Sequence, residues 1–220
     1  MQRIAIKEEV RMKIRSNFSV PHLLAAAHFS RQVCSIEIGN QGKPLGPFYD
    51  DILAFSIANV MTAVASLESY INEVFFDYRK NFSSDKETLI KNIWKHFAER
   101  PTMEKFDLAL MLRDRAVFDK ATNPYQDVAI LIKLRNSLVH FSPEWEDEQV
   151  AHERLSAQLS GKFQPSPFMQ GSAPLFPKRW ATSGCTKWAI ASCLSYVQHF
   201  EELSGLEHRF DNFLDRLSGE

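Results

Sequence analysis

In the stretch LIKLRNSLVHFSPEW (131–145), Arg135, Asn136 and His140 interrupt an otherwise apolar run just ahead of Ser142-Pro143. A guanidinium, an amide and an imidazole are costly in such a run unless each meets water, a partner or a substrate. The side-chain types are those of proton transfer and anion binding. Imidazole titrates near neutral pH, and guanidinium offers a rigid fork to phosphate oxygens. At about 100° per helical residue, Asn136 and His140 fall within ~40° of one another, whereas Arg135 and His140 stand ~140° apart. One helix does not converge Arg135 and His140 unaided, and a second copy of the helix could supply the missing partner. The bland alternative is that His140 caps the last turn, Arg135 snorkels and Asn136 bonds a neighbouring backbone.

The elements that must position these residues are legible from apolar spacing. Leu53, Ile57, Val60, Val64, Leu67, Ile71, Val74 and Tyr78 recur at alternating steps of four and three, which predicts a long helix over 51–80. A second stripe on it, Met61, Ala65, Glu68, Asn72 and Phe75, predicts packing against a second body, with Glu68 and Asn72 neighbours at i, i+4. Shorter helices are expected over 87–100, stopped by Pro101, and over 102–118. NPYQ reads as a helix start, with Asn123 at the N-cap and Pro124 at the first position. The helix opening there runs to about Phe141, where Pro143 disfavours continuation, and Leu131, Leu134, Leu138 and Phe141 are its core stripe. Val128, Ile132 and Val139 lie on another side, where a dimer contact is expected, helped by Met61, Ala65 and Phe75.

Outside that region, helices are expected from about Val20, over 144–160, over 185–203 (core candidates Trp188, Ala191, Leu194, Val197 and Phe200) and from Glu207. Residues 39–48 are a connection. Residues 161–184 hold four Pro and three Gly among Phe163, Phe168, Phe176 and Trp180, so they read as a long loop whose aromatics pack on the bundle. No strand-period segment and no repeat is evident. The expected fold class is all-α, a single domain over 1–220 built on a bundle of about 50–142, with additions over 1–49 and 143–220.

Composition sets bounds. A net charge of −1 over 220 residues excludes a broadly basic nucleic-acid binder without excluding a local basic patch. Cys34, Cys185 and Cys193 form no CxxC pair and read as reduced thiols. The N-terminal stretch alternates charged and apolar residues, unlike a signal peptide, and no apolar run is expected to reach the ~20 residues of a membrane span. A cytoplasmic protein without membrane association is therefore expected. No cofactor and no metal site is expected: His22 and His28 lack a carboxylate at ligand spacing, His199 and His208 lack an evident partner, and no GxGxxG, Walker A, HExxH or GxSxG sequence is present. GKPLG (42–46) is a turn.

Arg135-Asn136-Ser137-Leu138-Val139-His140 resembles the signature of the HEPN superfamily: an Arg, a polar residue, and a His a few positions on, closing a bundle helix. The flanks, and NPYQD before them, are similar to the subset with a Leu-Arg-Asn-x-Leu-Val-His form, and the resemblance covers about 50–142. What it implies is a HEPN-like helical bundle and a metal-independent endoribonuclease, a toxin or defence effector, whose two paired helices face each other in a homodimer. On that resemblance His140 would move the proton at the ribose 2′-OH or the leaving 5′-oxygen. Arg135 would hold the scissile phosphate, Asn136 would orient either, and Glu68 with Asn72 would support them. Attack by the 2′-OH would leave a 2′,3′-cyclic phosphate. RNA is the implied substrate, with an antitoxin protein as a second partner if the chain is a toxin. The alternative is a non-catalytic dimeric HEPN module that binds nucleotide, RNA or a partner protein.

Overall fold

The computed structural model describes residues 15–145, 150–169 and 174–218. They form helices and connections, with no strand among the described residues: α1 (Ser19–Gly39), α2 (Phe48–Phe76), α3 (Tyr78–Asn81), α4 (Glu87–Phe97), α5 (Thr102–Leu112), α6 (Tyr125–Val139), α7 (Val150–Leu159), α8 (Ser183–Ser204) and α9 (Leu214–Ser218). The all-α class is thus as expected.

α2 is the central helix, and α1, α5, α6 and α8 all pack on it. Its seam is buried from Val60 through Val74, and Ala63, Tyr70 and Phe75 are buried beside it. Of the second stripe, Phe75 is buried and Met61, Ala65, Glu68 and Asn72 are half-buried. By length and composition α2 would also serve as a membrane span, against the expectation of no such run: an 18-residue window reaches a mean hydropathy of 1.5. Here its apolar surface is taken up by the four helices around it.

The predicted 51–80 helix breaks at Asp77. The Asn81 side-chain amide donates to the Val74 carbonyl at 2.9 Å. That carbonyl would otherwise accept from the backbone N–H four residues on, so the chain turns and restarts as α3. The predicted 102–118 helix ends early as well. Asp114 takes a left-handed φ of 56°, its N–H reaches Met111 O at 3.0 Å, and the Arg115 N–H reaches Leu110 O at 3.0 Å. These are the two bonds of a Schellman stop, which an Asp can supply in place of Gly.

α1 and α8 join the same core. Asn59 donates to Ala26 O at 2.7 Å, and Ser30 and Thr186 hydroxyls meet at 2.8 Å. α8 is fixed at both ends, by Thr182 accepting from the Cys185 N–H at 3.0 Å and by Gly205 at φ 70°. Its core stripe differs from the expected one. Cys185, Ala189, Ile190, Cys193, Tyr196, Val197 and Phe200 are buried, Trp188 and Leu194 are half-buried, and Ala191 is exposed. Small side chains let α8 approach α2 closely: the Cys193 thiol donates to Ala63 O at 3.4 Å.

Residues 144–160 give a shorter helix than expected, α7, with 146–149 outside the described residues. The segment 161–184 packs as its aromatics imply, apart from 170–173, which also lie outside the described residues. Phe168, Phe176 and Trp180 are buried and Phe163 is half-buried. Ser156 Oγ accepts from the Phe176 N–H at 2.9 Å, pinning the segment to α7.

Candidate functional site

α6 is held by Val128, Leu131 and Leu134, all fully buried. Three parts of the expected pattern differ in the structure. Val128 faces the core and is not available to a dimer contact, and neither is Phe75. Phe141 is 49% exposed because the helix ends at Val139, and its ring stacks on His152 at 5.4 Å instead of entering the core. Asn123 does not cap either: α6 opens at Tyr125 with no side-chain cap, its first turn accepting the Val128 N–H on Pro124 O at 3.3 Å.

Arg135 and Asn136 line a cleft of about 550 Å³ between α6, the α4–α5 connection and α2, together with Glu68, Thr102, Lys105 and Ile132. Asn136 is exposed and Arg135 half-buried. Arg135 Nε is out of contact with water and has no hydrogen-bond partner. Its guanidinium makes no salt bridge among the described residues. His140 is the C-cap of α6, exposed, with its backbone N–H donating to Asn136 O at 2.8 Å. It does not line the cleft. The structure therefore brings Arg135, Asn136 and Glu68 together and leaves His140 outside.

The supporting residues have a partner that the sequence reading missed. Glu68 accepts from Thr102 Oγ1 on one carboxylate oxygen and from Lys105 Nζ on the other. Lys105 Nζ also donates to Asn72 Oδ1 at 3.2 Å and lies 5.7 Å over the Trp94 ring. Lys105 is 1% exposed, so its charge is held by Glu68, Asn72 and the ring face. A signal was available. Lys105, Leu108, Ala109 and Leu112 keep an i, i+3, i+4, i+7 spacing, which puts a lysine on the buried stripe of α5.

Two histidines set aside for want of a partner do have one. His199 Nδ1 lies 3.3 Å from a Glu202 oxygen, and His208 Nδ1 lies 3.3 Å from a Glu201 oxygen. Burial pushes the Cys185 and Cys193 thiols well above their ordinary range, which leaves them unreactive. Among the described residues no group of three or more His, Cys, Asp or Glu is placed to hold a metal ion. Compared with family models, curated proteins and solved structures, the chain matches none.

Proposed function

We propose that this chain is a metal-independent endoribonuclease of the HEPN type, acting as a cytoplasmic homodimer on RNA. The observation that carries the reading is Arg135: a half-buried guanidinium with no acidic partner, beside Asn136, in an open cleft. An arginine without a counter-charge is suited to a phosphate that arrives from outside. Arg135 and Asn136 hold the scissile phosphate and its developing charge. His140 moves the proton at the 2′-OH or at the leaving 5′-oxygen, and the product is a 2′,3′-cyclic phosphate. Because His140 lies off the cleft, the imidazole serving one cleft comes from His140 of a second copy. A toxin or defence role, with an antitoxin as partner, is the biological setting this chemistry suits.

The second reading, a dimeric module that binds RNA, nucleotide or a partner protein without cutting, draws on the same placement of His140. A cleft with an anion site and no imidazole binds and does nothing more.

Cleavage of total RNA by the purified protein, in EDTA, separates the two. Proton transfer contributes about 10²–10⁴-fold, so His140→Ala should lose at least ~100-fold in rate while binding RNA as wild type does. Arg135→Ala should lose binding and cleavage together. Cleavage that persists undiminished in His140→Ala rules out the catalytic assignment, and a wild type that binds without cutting leaves the module.

A further inference from the structure

The cleft around Arg135 contains three carboxylates, Glu68, Glu99 and Glu104, and three cations, Arg100, Lys105 and Arg135. Glu99, Arg100 and Glu104 are exposed, where water screens them. Glu68 is different. Its side chain is 39% exposed, on the helix against which α6 packs, and it lines the same cleft as Arg135. It does not pair with Arg135. Both of its oxygens are occupied, one by Lys105 Nζ and one by Thr102 Oγ1 at the first turn of α5, where the helix dipole further favours its charge.

We infer that Lys105 is a positioning residue for anion binding: by holding Glu68, with Thr102, it keeps that carboxylate off Arg135 and leaves the guanidinium free for a nucleic-acid phosphate. The inference rests on the proposed reading of Arg135 as the phosphate ligand. The physical logic is competitive. A carboxylate left without Lys105 in a partly dry cleft takes the nearest available cation, and the half-buried cation of that cleft is Arg135. Once paired, Arg135 binds phosphate only by displacing Glu68. Lys105 itself is too deeply buried to meet a phosphate, at 1% exposure under the Trp94 ring, so its effect passes through Glu68.

The test is binding of a fluorescein-labelled, fully 2′-O-methylated RNA oligomer, followed by anisotropy at fixed ionic strength. The missing 2′-OH removes cleavage from the measurement. Lys105→Met should bind at least tenfold more weakly than wild type, as should Arg135→Ala. Lys105→Met/Glu68→Gln, which restores the wild-type net charge and leaves no carboxylate at 68, should return to within about threefold of wild type. Thr102→Val frees one Glu68 oxygen without changing any charge. It should weaken binding three- to tenfold, and Glu68→Gln should reverse that loss. The Thr102 pair decides the matter if Lys105→Met does not fold, as judged by its circular dichroism. A folded Lys105→Met that binds like wild type overturns the inference, and so does a double variant that recovers nothing. A Thr102→Val protein that binds like wild type, or a wild type that does not bind the oligomer, overturns it too. A wild type that follows the expected pattern yet cleaves no unmodified RNA leaves this inference standing and removes the nuclease reading.

Discussion

Arg135 and Glu201 are both charged groups left short of partners inside one helical bundle, and their surroundings give them different consequences. Arg135 lines a cleft, so its guanidinium can meet an anion there even though its Nε–H is enclosed. Glu201 has no such outlet. It is 1% exposed, accepts from Tyr70 OH at 2.8 Å and the Arg209 N–H at 3.0 Å on one oxygen, and leaves the other without a hydrogen bond. His208 Nδ1 stands 3.3 Å from that second oxygen, and the Arg209 side chain is turned away to Glu73. Burial raises the Glu201 carboxyl above its ordinary range, with the Arg209 N–H, Tyr70, His208 and the Arg209 charge pulling the other way. A raised carboxyl pKa means that the folded state holds the proton more tightly than the unfolded chain. The stabilising effect is therefore complete below the unfolded value of about 4.3 and is lost as pH rises through the folded one. Glu201→Gln, neutral at every pH, should accordingly melt higher than wild type at pH 7. Each kcal/mol relieved should move Tm by about 2–4 °C in a domain of this size. Below pH 4 the two curves should converge. A Glu201→Gln protein that melts lower than wild type at pH 7 would show that His208 more than offsets the burial cost.

Among the elements, the described parts of the segment 161–180 (161–169 and 174–180) have little regular structure of their own, so their order must come from side-chain burial. Trp180 is 1% exposed and Phe176 likewise, and both belong to the main core. Trp180→Ala should lower unfolding free energy by about 3–5 kcal/mol in a urea titration. Trypsin should cut after Lys178 or Arg179 slowly in the wild type and readily in the variant. Fast cutting in the wild type would mean that the aromatics do not hold the segment. This packing was legible because aromatics between prolines have few other reasons to recur. α2 was legible for a related reason: seven turns of unbroken spacing leave one phase. α8 was legible only toward its C-terminal end, where Val197 and Phe200 are buried as expected; before that, Cys185, Ala189 and Cys193 fill the inner face while the bulkier Trp188 and Leu194 lie at the margin. The candidate site shows the same limit. Arg135, Asn136 and His140 stand out in one short string, but Lys105 joins Glu68 from 37 positions away. Only a tertiary contact reveals that the supporting carboxylate is already engaged.

At the scale of the whole molecule, the proposed reading of His140 requires a second copy, and the end of α6 carries exposed apolar side chains where one could dock. Val139 is 50% exposed, Phe141 49% and Trp145 78%, three apolar side chains within six residues of His140. Ile132 is half-buried at the cleft wall. With Val128 and Phe75 committed to the core, Val139 and Trp145 are the residues through which a two-fold contact would place His140 of one copy near Arg135 of the other. A two-fold axis uses each contact twice. Fully burying a valine-sized side chain is worth about 1.5–3 kcal/mol, and Val139 has about half of that left to gain, so over two copies Val139→Lys should remove about 1.5–3 kcal/mol from the dimer and raise its Kd by about 10–10²-fold. Val139 is neither packed against the core nor part of the cleft lining, so the variant should stay folded as a monomer, with a wild-type circular dichroism spectrum and a Tm lowered only by the lost association. Its cleavage rate should fall in proportion to the dimer lost in sedimentation velocity, and should recover when protein concentration is raised. Mixing Arg135→Ala with His140→Ala adds a direct check, because heterodimers of the two rebuild one intact cleft out of two. Cleavage reappearing in the mixture, with neither variant active alone, is the result expected of a shared site. A mixture that stays inactive while exchanging subunits, or a Val139→Lys monomer with full activity, places all the chemistry within one chain and removes the dimer from the mechanism.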